Sequence, residues 1–244
     1  MLDVIFLSFF EANAEENWWL LKEKVPHAQR VENISPIGAA HRECANIART
    51  NYFYVVDGDA KILDSFEFDF IPNPKVRWPG GNFQDKYVYV WRSLNPVNNL
   101  VYGYGGVKLF PRMGVLKHTV WKPDFATSVA EAFRPMPEIS NITAFDFSEY
   151  NTWKSAFREC SKLQSKIIKN QKDNETDLRL WSWRTQCSKH KFGEWAHLGA
   201  EDAHFFVEAG QDLNLINNFE FLKRKFDTSY GNPPTPRQAQ YFIK

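Results

Sequence analysis

The chain lacks several features that would assign it to a specialised class of protein. It has only three cysteines in 244 residues, Cys44, Cys160 and Cys187, at wide spacing. That number and spacing fit neither a disulfide framework nor a zinc cluster, and they suit a reducing compartment. No apolar run approaches the length of a membrane span, and the apolar first residues carry Asp3 and lack a basic region, which predicts a first strand and not a signal peptide. We therefore expect a soluble, cytoplasmic protein that does not act at a membrane.

The chain also lacks an excess of charge of either sign. A formal net charge of +1 gives no global reason to expect nucleic acid or a membrane as partner, so any electrostatic argument has to be local. What the chain does contain is 43% hydrophobic and 16% aromatic residues. That content is sufficient for a substantial core, in one large domain or a domain with an appendage.

The first 60 residues alternate between strand and helix patterns. The pattern predicts strands over 4–9, 29–32 and 52–56, and helices over 13–24 and 37–49, with Ser35 as cap before Pro36. Strands that alternate with helices predict a parallel sheet with right-handed crossovers.

The remainder of the chain changes character twice. Residues 72–123 are rich in proline and glycine, which favours antiparallel strands and loops, with extended segments at 86–92 and 106–110. From Asn151 onward the apolar spacing predicts helices over 152–169, 175–188, 200–212 and 215–225. The proline-rich residues 231–244 predict an irregular arm.

One short motif carries most of the chemical information. The apolar strand YFYVV ends in Asp57-Gly58-Asp59, which places two carboxylates at the carboxyl end of a strand, where ligands bind in open α/β sheets. Two acids there would repel each other unless a cation lay between them, and Mg²⁺ or Mn²⁺ prefers such oxygen ligands. A solvated turn with capping acids is the alternative interpretation.

This layout resembles the GT-A type glycosyltransferases, and VVDGDA at 55–60 looks like their DxD motif. Three blocks, GAAHRECANIARTNYFYVVDGDAKI, WKSAFREC at 153–160 and GAEDAHFF at 199–206, resemble the TET/JBP-associated glycosyltransferases that add a sugar to hydroxymethylated pyrimidines in DNA. The resemblance spans residues 3 to about 225. It implies an α/β fold with a GT-A type nucleotide-binding sheet that has helices on both faces, followed by a mixed sheet and a helical C-terminal part.

The resemblance also implies a domain plan, a donor, a cofactor and an acceptor. We expect one domain over 1–230, with a nucleotide-binding half at 1–70 and an acceptor half at 71–230, that is monomeric and, if phage-encoded, located in the host cytoplasm. The expected donor is a UDP-sugar, the cofactor Mn²⁺ or Mg²⁺, and the acceptor double-stranded DNA with hydroxymethylated bases.

Several residues follow as site candidates. The resemblance implies metal ligation by Asp57, Asp59 and a late histidine, His204, although a lone histidine is as often a packing residue. Arg42 and Ser8 are candidates for donor binding beside the two aspartates, and a surface role for Arg42 is equally open. Asp202 and Glu201 are the candidates for the catalytic base. The alternative is that they are ordinary acids at the start of a helix, where they interact with the helix dipole. Glu159 is the rival base, and its neighbour Arg158 is a further donor-binding candidate. Both lie off the apolar helical face of Trp153 and Phe157, where a cleft and solvent are the two alternatives.

A basic segment supplies the candidate DNA-binding surface. Between Lys154 and Lys191 ten basic residues face four acids, a balance of +6, and the rest of the chain carries −5. Basic residues interleaved with aromatics are typical of a surface that follows phosphates and stacks on bases, although a solvated helix face has the same composition. The predicted DNA-binding residues are Lys162, Lys166, Lys169, Trp181, Trp183 and Arg184.

Two other functions stay open from the sequence. A GT-A enzyme that acts on a glycan or a lipid-linked acceptor would keep the metal site and would not need the basic segment. A non-enzymatic binding module would use Asp57 and Asp59 as structural residues only.

Overall fold

The computed structural model describes residues 1–102, 105–119, 125–126, 128–168 and 171–231. The chain forms two compact units. Unit 1 comprises Met1–Phe145 and Ile167–Lys172, and unit 2 comprises Asp146–Lys166 and Asp173–Lys244.

Unit 1 begins with the predicted alternation of strands and helices. The elements are β1 (Asp3–Ser8), α1 (Ala14–Lys24), β2 (Gln29–Glu32), α2 (Ile37–Ile47) and β3 (Tyr52–Asp57). Strand β1 lies between β2 and β3 and pairs with both in parallel, as predicted. The predicted cap at Ser35 is wrong, because Pro36 is the residue before the first turn of α2 and no side chain caps it.

The second half of unit 1 extends this sheet with strands of both directions. Its elements are β4 (Ala60–Ile62), β5 (Tyr87–Leu94), β6 (Val101–Tyr102), β7 (Val107–Pro111), α3 (Arg112–Lys117) and β8 (Ala132–Thr143). The eight strands follow the order β2-β1-β3-β7-β5-β8-β4, with β6 on β5. Strand β7 is antiparallel to both neighbours, whereas β5 and β8 are parallel. The extended segments predicted at 86–92 and 106–110 are confirmed as β5 and β7.

The mixed sheet is curled, and the Asp57–Asp59 turn connects β3 with the strand at one end of the strand order. Strand β4 follows β3 after only two residues, yet it pairs with β8 at the far end of the strand order. The Asp57 N–H donates to the Gly106 carbonyl beside β7 (2.7 Å), and the Ala144 N–H after β8 donates to the Asp59 carbonyl (2.7 Å). The two carboxylates are therefore attached to a backbone that is held from two parts of the sheet.

Both faces of the sheet are covered by apolar side chains. On one face Phe6, Tyr54 and Trp91 are buried with Leu21 of α1, and on the other Phe53, Val55 and Phe110 are buried with Ala40, Cys44 and Ala45 of α2. Burial of one large side chain stabilises a fold by about 1.5–3 kcal/mol relative to exposure. The alanines of α2 let the helix lie close to the sheet, as its sequence predicts.

Unit 2 is helical in the part that the structure describes. It contains α4 (Glu149–Gln164), α5 (Asp173–Thr185), α6 (Gly193–Glu208) and α7 (Phe219–Tyr230), with a 3-10 helix at Leu213–Asn217. Helix α6 begins seven residues before the predicted position, and α7 begins at Phe219, where the Asn218 side chain accepts a hydrogen bond from the Phe221 N–H (3.0 Å). Trp153, Phe157 and Cys160 are buried on one face of α4, as expected.

The protein is thus an α/β protein with a mixed, curled sheet and a helical C-terminal part. All three cysteines belong to described residues, are buried and form no disulfide. Within the described ranges, no helix is both long enough and apolar enough to cross a membrane. The predicted arm at 231–244 lies outside the described residues after Gly231.

Candidate functional site

The candidate site lies in unit 1, where the carboxyl ends of β1 and β3 meet. Leu7 of β1 is paired with Asp57 of β3, so Ser8 and the Asp57–Asp59 turn leave the sheet side by side. Asp57 and Asp59 are both partly exposed. This is the edge at which α/β sheets bind ligands.

Gly58 allows a close approach between the two strand ends. A Cβ built on Gly58 would lie 2.5 Å from Glu11 Oε2 and 2.8 Å from Ser8 Cβ. Any residue other than glycine would therefore clash with these two side chains. Glu11 is thus a third carboxylate at this edge, and it was missed by sequence reasoning. The signal was present, because Glu11 comes shortly after the end of β1, much as Asp57 and Asp59 stand at the end of β3 and just after it. Its Oε2 accepts a hydrogen bond from the Phe9 N–H at 2.6 Å.

Side chains of α1 fix the shape of the turn. Asn17, which is buried, donates from Nδ2 to the Gly58 carbonyl at 2.9 Å. Asn13 donates from Nδ2 to the Ala144 carbonyl at 2.8 Å, and Ala144 in turn donates to the Asp59 carbonyl. These bonds use backbone atoms of the turn, so its position does not depend on the carboxylate groups of Asp57 and Asp59.

Lys108 of β7 is the second residue that sequence reasoning missed. Its Nζ lies 2.5 Å from Asp57 Oδ2, and the two side chains are 14% and 35% exposed. A single lysine inside the buried strand VKLFP was the available signal, because Val107, Leu109 and Phe110 are fully buried. Its partner lies 51 residues away in sequence.

His41 of α2 lies behind this ion pair on the same face of the sheet. It is 4% exposed, packs against the rings of Phe110 and Phe125, and donates from Nδ1 to the Ile37 carbonyl at 2.9 Å. Its Nε2 is buried and has no hydrogen-bond partner among the described residues. Burial, with a smaller contribution from Lys108, lowers the pKa of His41 to about 4. The imidazole is therefore neutral at pH 7.

Ser8 and Arg42 are the two other donor-binding candidates of unit 1. Ser8 is buried, with its Cβ under Gly58, and its carbonyl accepts a hydrogen bond from the Asn33 N–H (2.9 Å). Arg42, one residue after His41, donates from Nη2 to the His118 carbonyl at 2.8 Å. The described contacts give both residues a structural role, and their predicted contacts with a donor stay predictions.

The three predicted catalytic residues, Asp202, Glu201 and Glu159, lie in unit 2, where Asp202 and Glu159 have structural partners. Asp202 Oδ2 accepts hydrogen bonds from Trp153 Nε1 and from the Tyr230 hydroxyl, both at 2.8 Å. Burial, reinforced by the Asp202 carboxylate, raises the pKa of the Tyr230 hydroxyl. Glu201, by contrast, is about half exposed, 3.6 Å from His197 Nε2.

Glu159 and Arg158 are likewise held within unit 2. Glu159 Oε1 lies 2.6 Å from Arg179 Nη2, and these two side chains are 16% and 11% exposed. Arg158 donates to the Ile216 carbonyl (2.9 Å) and to Asn217 Oδ1 (3.0 Å). Arg158 therefore anchors the 3-10 helix at Leu213–Asn217, and its predicted contact with a donor would require these bonds to be exchanged.

His204, the predicted third metal ligand, belongs to α6 in unit 2. Its Nδ1 is in hydrogen-bond contact with Gln164 Nε2 and lies 4.0 Å from Glu208 Oε1. Across the described ranges, no three or more His, Cys, Asp or Glu side chains form a group that could hold a metal ion. The protein's own ligands to a metal at Asp57 and Asp59 would thus have to be completed by oxygens of a bound ligand or water.

The two tryptophans of the predicted DNA surface differ in exposure. Trp181 is 52% exposed, whereas Trp183 is 1% exposed, so Trp183 cannot stack on a base in this conformation and that assignment is corrected. Lys166 forms an exposed ion pair with Asp173 at 2.7 Å. Lys162 and Arg184 are partly exposed, and Lys169 lies outside the described residues.

Comparison with known proteins adds no assignment to this geometry. No protein-family model matches the chain, and no curated protein matches it in sequence. Function is therefore inferred from the chemistry of the site, because a fold of this class hosts many unrelated activities.

Proposed function

We propose that the protein is a metal-dependent glycosyltransferase of the GT-A type, which transfers a sugar from a UDP-sugar to the hydroxyl of a hydroxymethylated pyrimidine in DNA. The observation that carries this proposal is the Asp57–Asp59 turn. Two partly exposed carboxylates stand at the ligand-binding edge of the sheet, on a backbone held by Asn17 and by the Ala144 N–H.

The donor set of the turn fits Mg²⁺ or Mn²⁺. These ions prefer oxygen ligands, and Mg²⁺ in particular is bound by one or two carboxylates together with phosphate oxygens and waters. Asp57 and Asp59 would hold the ion, and a nucleotide diphosphate would supply further oxygens. Held there, such an ion would supply neutralisation of the charge on the leaving nucleotide.

The protein's own residues would orient the donor. Gly58 leaves room for Glu11 beside the turn, since its missing Cβ would lie within 2.5 Å of Glu11 Oε2. A partly exposed carboxylate at this position suits a hydroxyl group of the ribose or the sugar, because ionised carboxylates accept strong hydrogen bonds from hydroxyls. Neutral His41 behind Lys108 keeps a further positive charge away from the site.

The acceptor is inferred from the basic segment of residues 154–191. Its balance of +6 suits a phosphate backbone. Two observations favour the second candidate, an enzyme with a glycan or lipid-linked acceptor. The guanidinium groups of Arg158 and Arg179 are engaged inside unit 2, and Trp183 is buried.

Nucleotide binding tests the proposal at its first step. Calorimetry with UDP should show binding that strengthens with Mn²⁺ and weakens in EDTA, and Asp59→Asn should remove the metal-dependent part. Asp64→Asn, in an exposed turn of the same unit, is the matched control and should behave like the parent. Full activity in EDTA would contradict the metal site, and failure to bind any nucleoside diphosphate with Mn²⁺ would favour the non-enzymatic binding module.

The acceptor is tested by product mass. The protein is incubated with a panel of UDP-sugars and DNA that contains hydroxymethylcytosine or hydroxymethyluracil, and in parallel with oligosaccharides. A hexose or pentose mass added to DNA supports the proposal, whereas addition to oligosaccharides alone would support the second candidate.

A further inference from the structure

Lys108 has more hydrogen-bond donors than the described residues use. An ammonium group has three N–H donors, and among the described residues the Asp57 carboxylate is its only hydrogen-bond acceptor. The side chain is only 14% exposed, so bulk water reaches it poorly. A mostly buried ammonium group with further N–H donors, at the edge where α/β sheets bind ligands, is suited to donate to a bound ligand.

The sheet fixes the position of this ammonium group. Lys108 lies in β7, between Val55 of β3 and Val90 of β5, and its neighbours Val107 and Leu109 are fully buried. Its Cα therefore cannot move without disturbing the centre of the sheet. A binding group on such an element is held more accurately than one on a loop.

The hydrogen-bonding chemistry of Lys108 favours one class of ligand. Asp57 compensates the charge of the ammonium group at 2.5 Å, and neutral His41 adds no positive charge. A further neutral acceptor would satisfy the remaining N–H groups, but an anionic oxygen forms stronger, charge-assisted bonds. Lysine is well suited to phosphate as a compact point charge.

We propose that Lys108 is a diphosphate-binding residue, which donates to phosphate oxygens of the nucleotide while it keeps its ion pair with Asp57. This inference rests on the proposed function, since it assigns the same site a second cationic group beside the metal. It has a distinct consequence: part of the affinity for the diphosphate persists without a metal. If Lys108 only neutralised Asp57, Lys108→Met would weaken diphosphate binding through the uncompensated carboxylate, but removal of both charges would leave diphosphate affinity unchanged.

The test measures binding of UDP, inorganic pyrophosphate and uridine by calorimetry, each with Mn²⁺ and in EDTA. Lys108→Met should weaken UDP and pyrophosphate binding by about ten- to a hundredfold in both conditions, as expected for loss of a charged hydrogen bond, and should leave uridine binding unchanged. Lys108→Arg should retain most of the affinity. Lys24→Met removes another partly buried, ion-paired lysine, at the far end of α1, and should behave like the parent.

A double variant separates binding from folding. Lys108→Met leaves the Asp57 carboxylate without its cation, whereas Asp57→Asn with Lys108→Met removes both charges and should fold. The double variant should still bind pyrophosphate weakly in EDTA, while Asp57→Asn alone should bind it as the parent does or more tightly. Equal pyrophosphate affinity in the parent and the double variant would overturn the role of Lys108. Absence of UDP and pyrophosphate binding in the parent would instead overturn the proposed function itself, and the role of Lys108 with it.

Discussion

Asp57 in unit 1 and Asp202 in unit 2 were both predicted as functional carboxylates, and the structure gives them opposite surroundings. Among the described residues, the Asp57 carboxylate has one hydrogen-bond partner, Lys108, which has further N–H donors of its own. Asp202 accepts hydrogen bonds from Trp153 and Tyr230, which come from two other helices of its unit. The same side chain is thus placed at an open edge in one unit and used as an internal connector in the other.

The difference indicates which carboxylates are available for chemistry. A carboxylate that satisfies the donors of buried aromatic residues cannot leave them without cost, because an unsatisfied buried donor costs about 1–3 kcal/mol. The bonds that hold the Asp57–Asp59 turn use its backbone carbonyls and the Asp57 N–H, and the described partner of the Asp57 carboxylate is a single lysine at the sheet edge. The site in unit 1 therefore supports a functional role better than the carboxylates of unit 2, and substitutions in the two units should differ accordingly.

The largest loss of stability is expected at the ion pair between Glu159 and Arg179. Both side chains are mostly buried, so Glu159→Ala removes the carboxylate from a buried guanidinium and should lower the free energy of unfolding by about 3–5 kcal/mol. Chemical denaturation measures this loss. Glu159→Leu with Arg179→Met replaces both charges by apolar groups and should recover most of the stability. If Glu159 is the catalytic base, this stable double variant will have no transferase activity, which would contradict a purely structural role.

A somewhat smaller loss of stability is expected when Asp202 is replaced. Asp202→Ala leaves Trp153 Nε1 and the Tyr230 hydroxyl without their acceptor and should cost about 2–4 kcal/mol in the free energy of unfolding. Asp202→Asn keeps an acceptor oxygen and should cost less. Glu201→Ala, at an exposed neighbouring position, is the control and should change stability little. A fully stable Asp202→Ala variant with reduced turnover would restore the interpretation of Asp202 as a base.

Protonation of His41 should lower the free energy of unfolding by about the same amount or less, and only within one pH range. Its pKa is about 4 in the folded protein and near 6.5 in the unfolded chain, so the unfolded state binds the extra proton between these values. Stability should therefore fall as pH decreases from 6.5 to 4, by about 3 kcal/mol in total. His41→Leu should remove this part of the pH dependence. His27→Leu, at an exposed histidine, should keep it, and identical pH profiles for the parent and His41→Leu would contradict the burial argument.

The sequence predicted the elements whose signals are local. The alternation from β1 to β3 depends on short apolar runs and helix starts, and those elements lie within a few residues of their predicted positions. Strand β8 was missed because Pro135 and Pro137 interrupt its pattern, and the ladder between β5 and β8 shifts register near these prolines. The start of α6 was missed because Gly193 and Gly199 resemble helix breakers.

The site was predicted only as far as it is local in sequence. Asp57-Gly58-Asp59 is read directly from the end of a strand, whereas Lys108 reaches Asp57 only through the pairing of β3 with β7. The structural role of Asp202 likewise depends on Trp153, 49 residues away. Long-range partners decide whether a charged residue is free to act, and no periodicity in the sequence contains that information.

The smallest effect on stability, and the sharpest test of the acceptor, concerns the basic segment. Lys162 and Lys166 lie at the end of α4 with at least partial exposure, and Lys166 contacts Asp173 in an exposed pair that contributes little to folding. If the segment follows a DNA backbone, log K for duplex binding should fall with log salt by about 0.9 per phosphate contacted. Replacing both lysines by alanine should then flatten that slope by about two units.

The measurement is binding to hydroxymethylated duplex across a salt series. Lys223→Ala with Arg224→Ala removes two exposed charges from α7, outside the segment, and should leave the slope unchanged. A slope that responds equally to both pairs, or to neither, would remove the electrostatic reason for a DNA acceptor and leave the glycan or lipid-linked acceptor as the better interpretation, because the site in unit 1 does not depend on these lysines.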